Sequence, residues 1–589
     1  MSHHMSRSGL VVLVVGLLLS VTCAKPPHLW LTVDHIPEPT QSLAVIAEAN
    51  GRQTVTAIEP LDVHGSPSTG SILLTLPSNF SGDVVLFVAA FSEPGSRGCV
   101  LATGQTRSQR VSVDSPSGAV HVGLEGIIDS QCTGQRPVVL GVSPSLGLIE
   151  GGETVELNGW GFAPGDVVTF AGKPAQTTYV SPSQLEAVTP KRVAIGPTAV
   201  TVTQKSGTSH SRSDLFRFYS TTVDLGVVPF NMSPNVKGPT ELSVGNFLPK
   251  NPLVEASVVM TYKALDVVNM LWLIPAQPLP MLWSNSVSAG PGTGPSGLAT
   301  ADMDGDGLTD VVVALSGTDQ VQVYLSDGMG ELAGQTPLTV QKQPEAVAAA
   351  DLNGDGRPDI VSANFGADSI SLLYTKPGGG FLPMGFVKTV GVAAKHQPVG
   401  VVISDVNQDG NKDVAVVNQG AGNINLFVGL GAGLLNPSPI QFLVGTMPTQ
   451  IEAIDVSRDG IDDLLVVNKG SNNVQVLVNR SKKGSGNINF DTYTLATDSQ
   501  PESMTFADLN GDGISDLIVP CSGSNTVNVF LNKSPEGLKG VTAQKFAMPA
   551  APVCDSVRRV APMDIVKDGQ VDLTGFCGTG GGIMKNQTL

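Results

Sequence analysis

The sequence carries no helical signature. Nowhere do Glu, Lys, Ala and Leu recur at the 3.6-residue spacing of a long amphipathic helix, which excludes helical bundles. Charge is sparse: 14% of residues are charged, and 34 Lys and Arg are outnumbered by 51 Asp and Glu. The resulting net charge of −17 speaks against nucleic acid or an anionic membrane as a partner, since both demand Lys/Arg patches. Histidine is scarce where the chain is longest in repeats: seven of the eight lie before residue 220, leaving His396 beside a Gln-Pro turn. No Ser/His/Asp or Cys/His set can therefore be assembled from spacing, and Gly172-Lys173-Pro174 lacks the following Ser/Thr of a phosphate-binding loop. No catalytic residue and no organic cofactor site is assigned, and the expected role is binding rather than catalysis.

What is present points to an all-β protein. Gly (67) and Pro (41) are abundant, and short Val/Ile/Thr stretches alternate with Gly, Asn, Asp and Pro. A chain of 589 residues exceeds what one core can organise, so several domains are expected. Residues 1–23 read as a secretion signal: Arg7, an apolar run over residues 10–19, then Ser20-Val21-Thr22-Cys23. Cys23 stands where a bacterial lipoprotein signal places its lipidated cysteine, with ordinary cleavage nearby, for example after Ala24, as the alternative. Residues 25–135 read as a β-sandwich of unassigned family, in which Cys99 and Cys132 are expected to pair. Residues 136–218 form a second sandwich and residues 219–589 a repeat domain.

Five segments of the repeat domain share one pattern, their first aspartates 49 to 54 residues apart. The oxygen-bearing positions 1, 3, 5 and 9 are Asp302, Asp304, Asp306 and Asp310 in the first, and Asp351, Asn353, Asp355 and Asp359 in the second. They are Asp405, Asn407, Asp409 and Asp413 in the third, and Asp455, Ser457, Asp459 and Asp463 in the fourth. The fifth has Asp508, Asn510, Asp512 and Asp516. A weaker sixth keeps Asp564, Asp568 and Asp572 but has Val566 at position 3. Each loop follows a short strand and precedes a β-branched run, a tight Gly/Asn turn and an alternating strand, which is the four-strand unit of a β-propeller. A degenerate unit over residues 241–273, lacking the carboxylates, brings the expected number of blades to seven. Residues 220–228 are expected to supply the missing fourth strand of the last unit, so that no sheet edge stays open.

Oxygen ligands at positions 1, 3, 5 and 9 converge on one point, Gly at position 6 allows the sharp turn, and a carbonyl near position 7 adds another ligand. Such hard donors suit Ca2+. An EF-hand opens similarly, but here strands flank the loop and position 12 of the first is Val313. About five Ca2+ ions are expected, which would take the net charge from −17 to about −7 and relieve repulsion among clustered carboxylates.

These loops resemble the FG-GAP/VCBS repeats of integrin α-chain-like propellers, over roughly residues 220–589. The resemblance implies calcium on one face and an extracellular partner on the other, where Gly470–Asn473, Gly523–Thr526, Gln343-Pro344, Gln397-Pro398 and Gln500-Pro501 would lie. Cys554 would reach Cys521 or Cys577 on that face. Residues 136–218 resemble an IPT/TIG immunoglobulin-like domain through Ser143-Pro144, Gly151-Gly152 and Gly159-Trp160-Gly161-Phe162. Together these imply two N-terminal β-sandwiches followed by a seven-bladed β-propeller. The function they imply is monomeric and exported: adhesion or recognition of a protein or glycan at the cell envelope or outside the cell, touching membrane only through a lipid anchor. The alternatives are a structural scaffold of the envelope or, more remotely, a polysaccharide-active enzyme.

Overall fold

All the regular structure in the described residues of the computed structural model is β-strand. The described residues run from His28 to Thr588; side chains are described for Val88 and from Pro137 onward, apart from strand residues such as 226–230 and 381–388, and the larger gaps after Pro137 are 231–238, 250–256, 275–280, 389–395, 549–553 and 565–569. Between His28 and Gly126 the strands form two sheets. One is three-stranded (Ser68–Thr75, His28–Ile36, Ser117–Gly123), and a larger one is built around Gly82–Glu93. Cys23 and Cys132 lie outside the described residues, and with them the lipidation site and the Cys99–Cys132 pairing.

The next unit packs two four-stranded sheets over a buried apolar core. One sheet has the order Val138–Ser143, Thr154–Trp160, Gln184–Val188, Gln176–Ser181, and the other contains Val167–Phe170, Val200–Thr203 and Ser209–Arg212. Strand periodicity builds that core: Val155 and Leu157 point in while Thr154 and Glu156 point out. Phe216 sits edge-on between Phe170 and Phe218, with centroids 5.0 and 5.1 Å away. Strand Arg217–Tyr219 pairs with Leu146–Leu148 and Gly196–Pro197 and ends the unit.

Seven antiparallel sheets of four or five strands follow, among the described residues between Leu225 and Asn586, with a two-stranded hairpin, Gly429–Gly431 and Leu434–Leu435, beside them. Each runs from an inner strand outward. The inner strands are Glu241–Gly245, Pro295–Ala301, Pro344–Ala350, Pro398–Ser404, Pro448–Ile454, Thr505–Ala507 and Val557–Met563. The second strands, such as Asp310–Leu315, Asp463–Asn468 and Asp516–Cys521, are buried at every residue. A neighbouring sheet covers each of their faces, which is why they read as continuous apolar runs rather than alternating ones. Val312, Ala314 and Val323 of one sheet, for instance, pack with Val347, Ile360 and Leu373 of the next.

Neighbouring sheets are also tied by side chains. Thr261 Oγ1 donates to Ser296 O, and Ser296 Oγ to Pro344 O. The Gln450 amide bonds both Met504 N and Met504 O, and Ser503 Oγ donates to Arg558 O. Arg559 grips Glu241 through two hydrogen bonds of 2.9 and 3.1 Å, so the contacts return to the sheet they started from. Inner strands enclose a cavity of about 350 Å3 lined mostly by Gly, Ala and Val, with Glu241, Gln450 and Glu452. The last sheet is completed by an early segment: Leu225–Phe230 pairs with Gly581–Asn586, the closure expected of residues 220–228. Cys554 is disulfide-bonded to Cys577 within this sheet, and Cys521 is free and buried in the preceding one.

Candidate metal-binding loops

Each acidic loop leaves the end of an inner strand and re-enters the sheet as the second strand. Inner strand Pro295–Ala301, for example, is followed by Asp302–Thr309 and then by Asp310–Leu315. The local chemistry of the loop explains its shape. Asp302 at position 1 folds back on its own backbone: Oδ1 accepts the N–H groups of Gly305 and Asp306, and Oδ2 that of Gly307. Asp304 Oδ1 accepts Asp306 N, and Asp306 Oδ1 accepts Leu308 N. The second loop repeats this bond for bond on Asp351, Asn353 and Asp355, and the third keeps most of it on Asp405, Asn407 and Asp409. Asp455 and Asp459 hold the fourth loop, and Asp508, Asn510 and Asp512 the fifth. Gly307, Gly356 and Gly513 at position 6 have φ of 82 to 84°, the left-handed turn that glycine adopts at least cost.

Asp302, Asp304 and Asp310 each place a carboxylate oxygen within 4.8 Å of the others, the one such trio among the described residues. The other loops carry Asn or Ser at position 3, so they offer three carboxylates and one neutral oxygen. The donor set is hard oxygen throughout, and it fits Ca2+ better than a transition metal. Of the sixth loop, Asp564 and Asp572 are described and Asp568 is not.

The position-9 aspartates do something the spacing did not reveal. They are fully buried, and each has both oxygens occupied by backbone N–H groups from two separate segments. Asp310 accepts Met303 N and Ser326 N, both at 2.8 Å. Asp359 accepts Leu352 N and Thr375 N, Asp413 accepts Val406 N and Gly429 N, and Asp516 accepts Leu509 N and Asn532 N, at 2.7 to 3.1 Å. Asp463 accepts Ser457 N and Asn479 N. Each carboxylate thus pins the loop start to the end of the third strand. In the sheet without an acidic loop, Ser257 takes over half of this clamp, because its Oγ accepts Phe247 N at 3.0 Å and donates to Gly245 O. The only advance signal was that this serine starts its second strand, as Asp310 does.

Burial raises the proton affinity of these carboxyls, and neighbouring carboxylates raise it further. Asp310 and Asp413 are pushed up to about 6, Asp463 to about 7 and Asp516 to about 8. Asp512 also reaches about 6, through burial and then Asp508. A cation among these groups would remove the cost of keeping them ionised.

The opposite ends of the sheets hold the tight turns and the Gln-Pro corners. Their backbone groups are tied together: Asn472 Oδ1 accepts Gln500 N, Asp368 Oδ1 accepts Gln397 N, and Asp319 Oδ1 accepts Gln343 N. Leu265, Leu443 and Met447 stand exposed at this end, at 42, 79 and 52%.

Residues 302–362, 405–466 and 455–519 match the FG-GAP-like repeat family, and residues 137–218 match the IPT/TIG domain family. The chain therefore carries FG-GAP-like repeats and an IPT/TIG domain. A 73-residue stretch, 12% of this chain, is 40% identical to mouse fibrocystin-L and spans 2% of that protein. Among solved structures, a functionally unknown protein from Desulfotomaculum acetoxidans is similar over 60% of this chain and 96% of its own, at 13% identity and a TM-score of 0.38. An auxiliary nutrient binding protein from Bacteroides ovatus is similar over 77% of this chain and 98% of its own, at 14% identity and a TM-score of 0.34. Scores this low carry no argument, and the fold rests on the sheets themselves.

Proposed function

We propose that the chain is an exported, seven-bladed β-propeller protein that holds Ca2+ in its acidic loops and serves adhesion or recognition of a protein or glycan partner, without catalysing a reaction. The observation that carries this reading is the loop itself. Five times over, an Asp-x-oxygen-x-Asp-Gly turn shares two hydrogen bonds, from the glycine N–H to position 1 and from the next N–H to position 5, and in the first loop three carboxylates crowd within 4.8 Å of one another. Asp302, Asp304, Asp306 and Asp310 and their counterparts in the next four loops would hold the ions, with Asp564, Asp568 and Asp572 a weaker sixth set. The ions would act as staples, since each loop joins an inner strand to the strand behind it. Partner binding falls to the opposite end, where the backbone is already satisfied and Leu265, Leu443 and Met447 offer apolar surface. The Cys554–Cys577 disulfide and the IPT/TIG domain fit an extracellular setting, with Cys23 as the anchoring residue if the signal is of the lipoprotein type.

Thermal melting of the full chain with a calcium titration tests the metal. Added Ca2+ should raise the melting temperature and chelation should lower it, because a ligand bound only by the folded state stabilises that state. A melt unmoved by chelator would remove calcium from the reading. For the partner, a glycan array and a surface-protein pull-down should both weaken when Leu443 and Met447 are changed to Asp. Binding indifferent to these changes would move the site elsewhere.

A further inference from the structure

The fifth acidic loop differs from the first three in what covers it. At Gly305, Gly307, Gly354, Gly356 and Gly410 an added Cβ would meet open space. At Gly511 it would stand 2.7 Å from the Ile195 side chain and 2.8 Å from Gly196 N, and at Gly513 it would stand 3.3 Å from Arg217 Nε. All three neighbours belong to the IPT/TIG domain. One further contact crosses the same junction, Arg217 reaching Asp508 Oδ2 at 3.6 Å, and just past the domain's end Ser220 N donates to Asn510 O at 3.0 Å. Arg217 lies on the strand Arg217–Tyr219, paired on both sides within its own domain, so its guanidinium is delivered from a fixed base.

We infer that the fifth loop is a calcium-sensitive latch, at which Arg217 of the IPT/TIG domain acts as a built-in cation competing with Ca2+ for Asp508. This rests on the reading of the loops as calcium sites. The physical case is one of shared charge. Asp508 at position 1 is a proposed ligand and also the partner of a guanidinium, and two cations at one carboxylate repel each other. Filling the loop must therefore loosen Arg217, and docking of Arg217 must weaken the ion. Linkage makes the two effects equal in size. Arginines near two other loops come from the same run of sheets, Arg357 beside Asp355 and Arg480 beside Asp459, and so link no second domain. Calcium at the fifth loop would thus set how firmly the N-terminal domains are held to the repeats.

Calorimetric calcium titration of the full, calcium-stripped chain tests this, comparing the wild type with Arg217→Gln and Arg217→Lys, each also in an Asp512→Asn background that removes the fifth site. Arg217→Gln should tighten one site by up to about fivefold, the upper end for an exposed ion pair. Arg217→Lys should stay near the wild type, and the Asp512→Asn background should abolish the difference. Amide exchange over residues 217–222 should quicken on adding Ca2+ to the wild type and not respond in Arg217→Gln. If no form binds calcium, the loop reading itself fails. If calcium binds but Arg217→Gln matches the wild type, or exchange slows instead, the latch alone is overturned.

Discussion

Asp516 shows how one carboxylate can serve both fold and site. It is completely buried, and its two oxygens accept Leu509 N and Asn532 N. Asp512, four residues earlier, accepts Ile514 N through one oxygen and faces the Asn510 amide with the other. The two should respond differently to the same change. Asp516→Asn sets an amide N–H against a backbone N–H donor in a dry environment and should cost about 2 kcal/mol in urea unfolding, with or without calcium. Asp512→Asn should lower stability much more when calcium is present than in chelator. Equal losses for both variants in chelator would make the position-9 clamp no more than another loop contact.

Glu452 is a second residue with a clear signature. It lines the inner cavity, takes one hydrogen bond from Gln450 at 2.7 Å, and burial together with nearby Glu241 pushes its carboxyl up to about 7. A carboxyl raised in the folded state favours folding below its ordinary value of 4.5, and that contribution is lost as pH rises through about 7. Glu452→Gln should therefore be more stable than the wild type at pH 8 and lose that advantage toward pH 5, measured by melting at fixed calcium. A pH-independent difference would point to packing instead of ionisation.

Among the elements, the closing sheet depends on covalent help. Cys554 lies just before the inner strand Val557–Met563 and Cys577 ends the strand behind it, with Cα atoms 5.2 Å apart. Replacing both with Ser should cost about 3 kcal/mol from the freed loop of 23 residues, read as a lower melting temperature matched by dithiothreitol treatment of the wild type. Sequence left this pairing open between Cys521 and Cys577, because three thiols fall at one end of adjacent sheets. The structure decides it by placing Cys521 inside the preceding sheet, where it belongs to a buried apolar cluster that also holds Leu517, Val519 and Phe530.

What the sequence made legible was local. The Asp-x-oxygen-x-Asp-Gly loops announced themselves because their geometry comes from hydrogen bonds within nine residues. The strand over Leu225–Phe230 was legible by a different route, since a last unit one strand short needs a partner from elsewhere. Arg217 and Ser257 were not legible. One acts across a domain junction, and the other replaces an aspartate by a residue that shares only its acceptor oxygen.

For the whole molecule, the charge balance sets conditions. With a net charge of −17 and acidic loops at one end of the sheets, the calcium-free chain carries concentrated repulsion that bound ions would relieve. Raising sodium chloride from about 20 to about 300 mM should therefore stabilise the stripped protein distinctly more than the loaded one. Equal salt responses would mean that the loops are not where the repulsion sits.

The pairing of Leu225–Phe230 with Gly581–Asn586 has a kinetic consequence. Two segments roughly 350 residues apart must find each other before the last sheet edge is sealed, which is the slowest kind of contact to make. Until that moment six completed sheets would present a bare strand to the surroundings, open to pairing with a second copy. Refolding should accordingly show a late, single-exponential phase that Val227→Pro slows, and aggregation that rises with protein concentration only while that phase is incomplete.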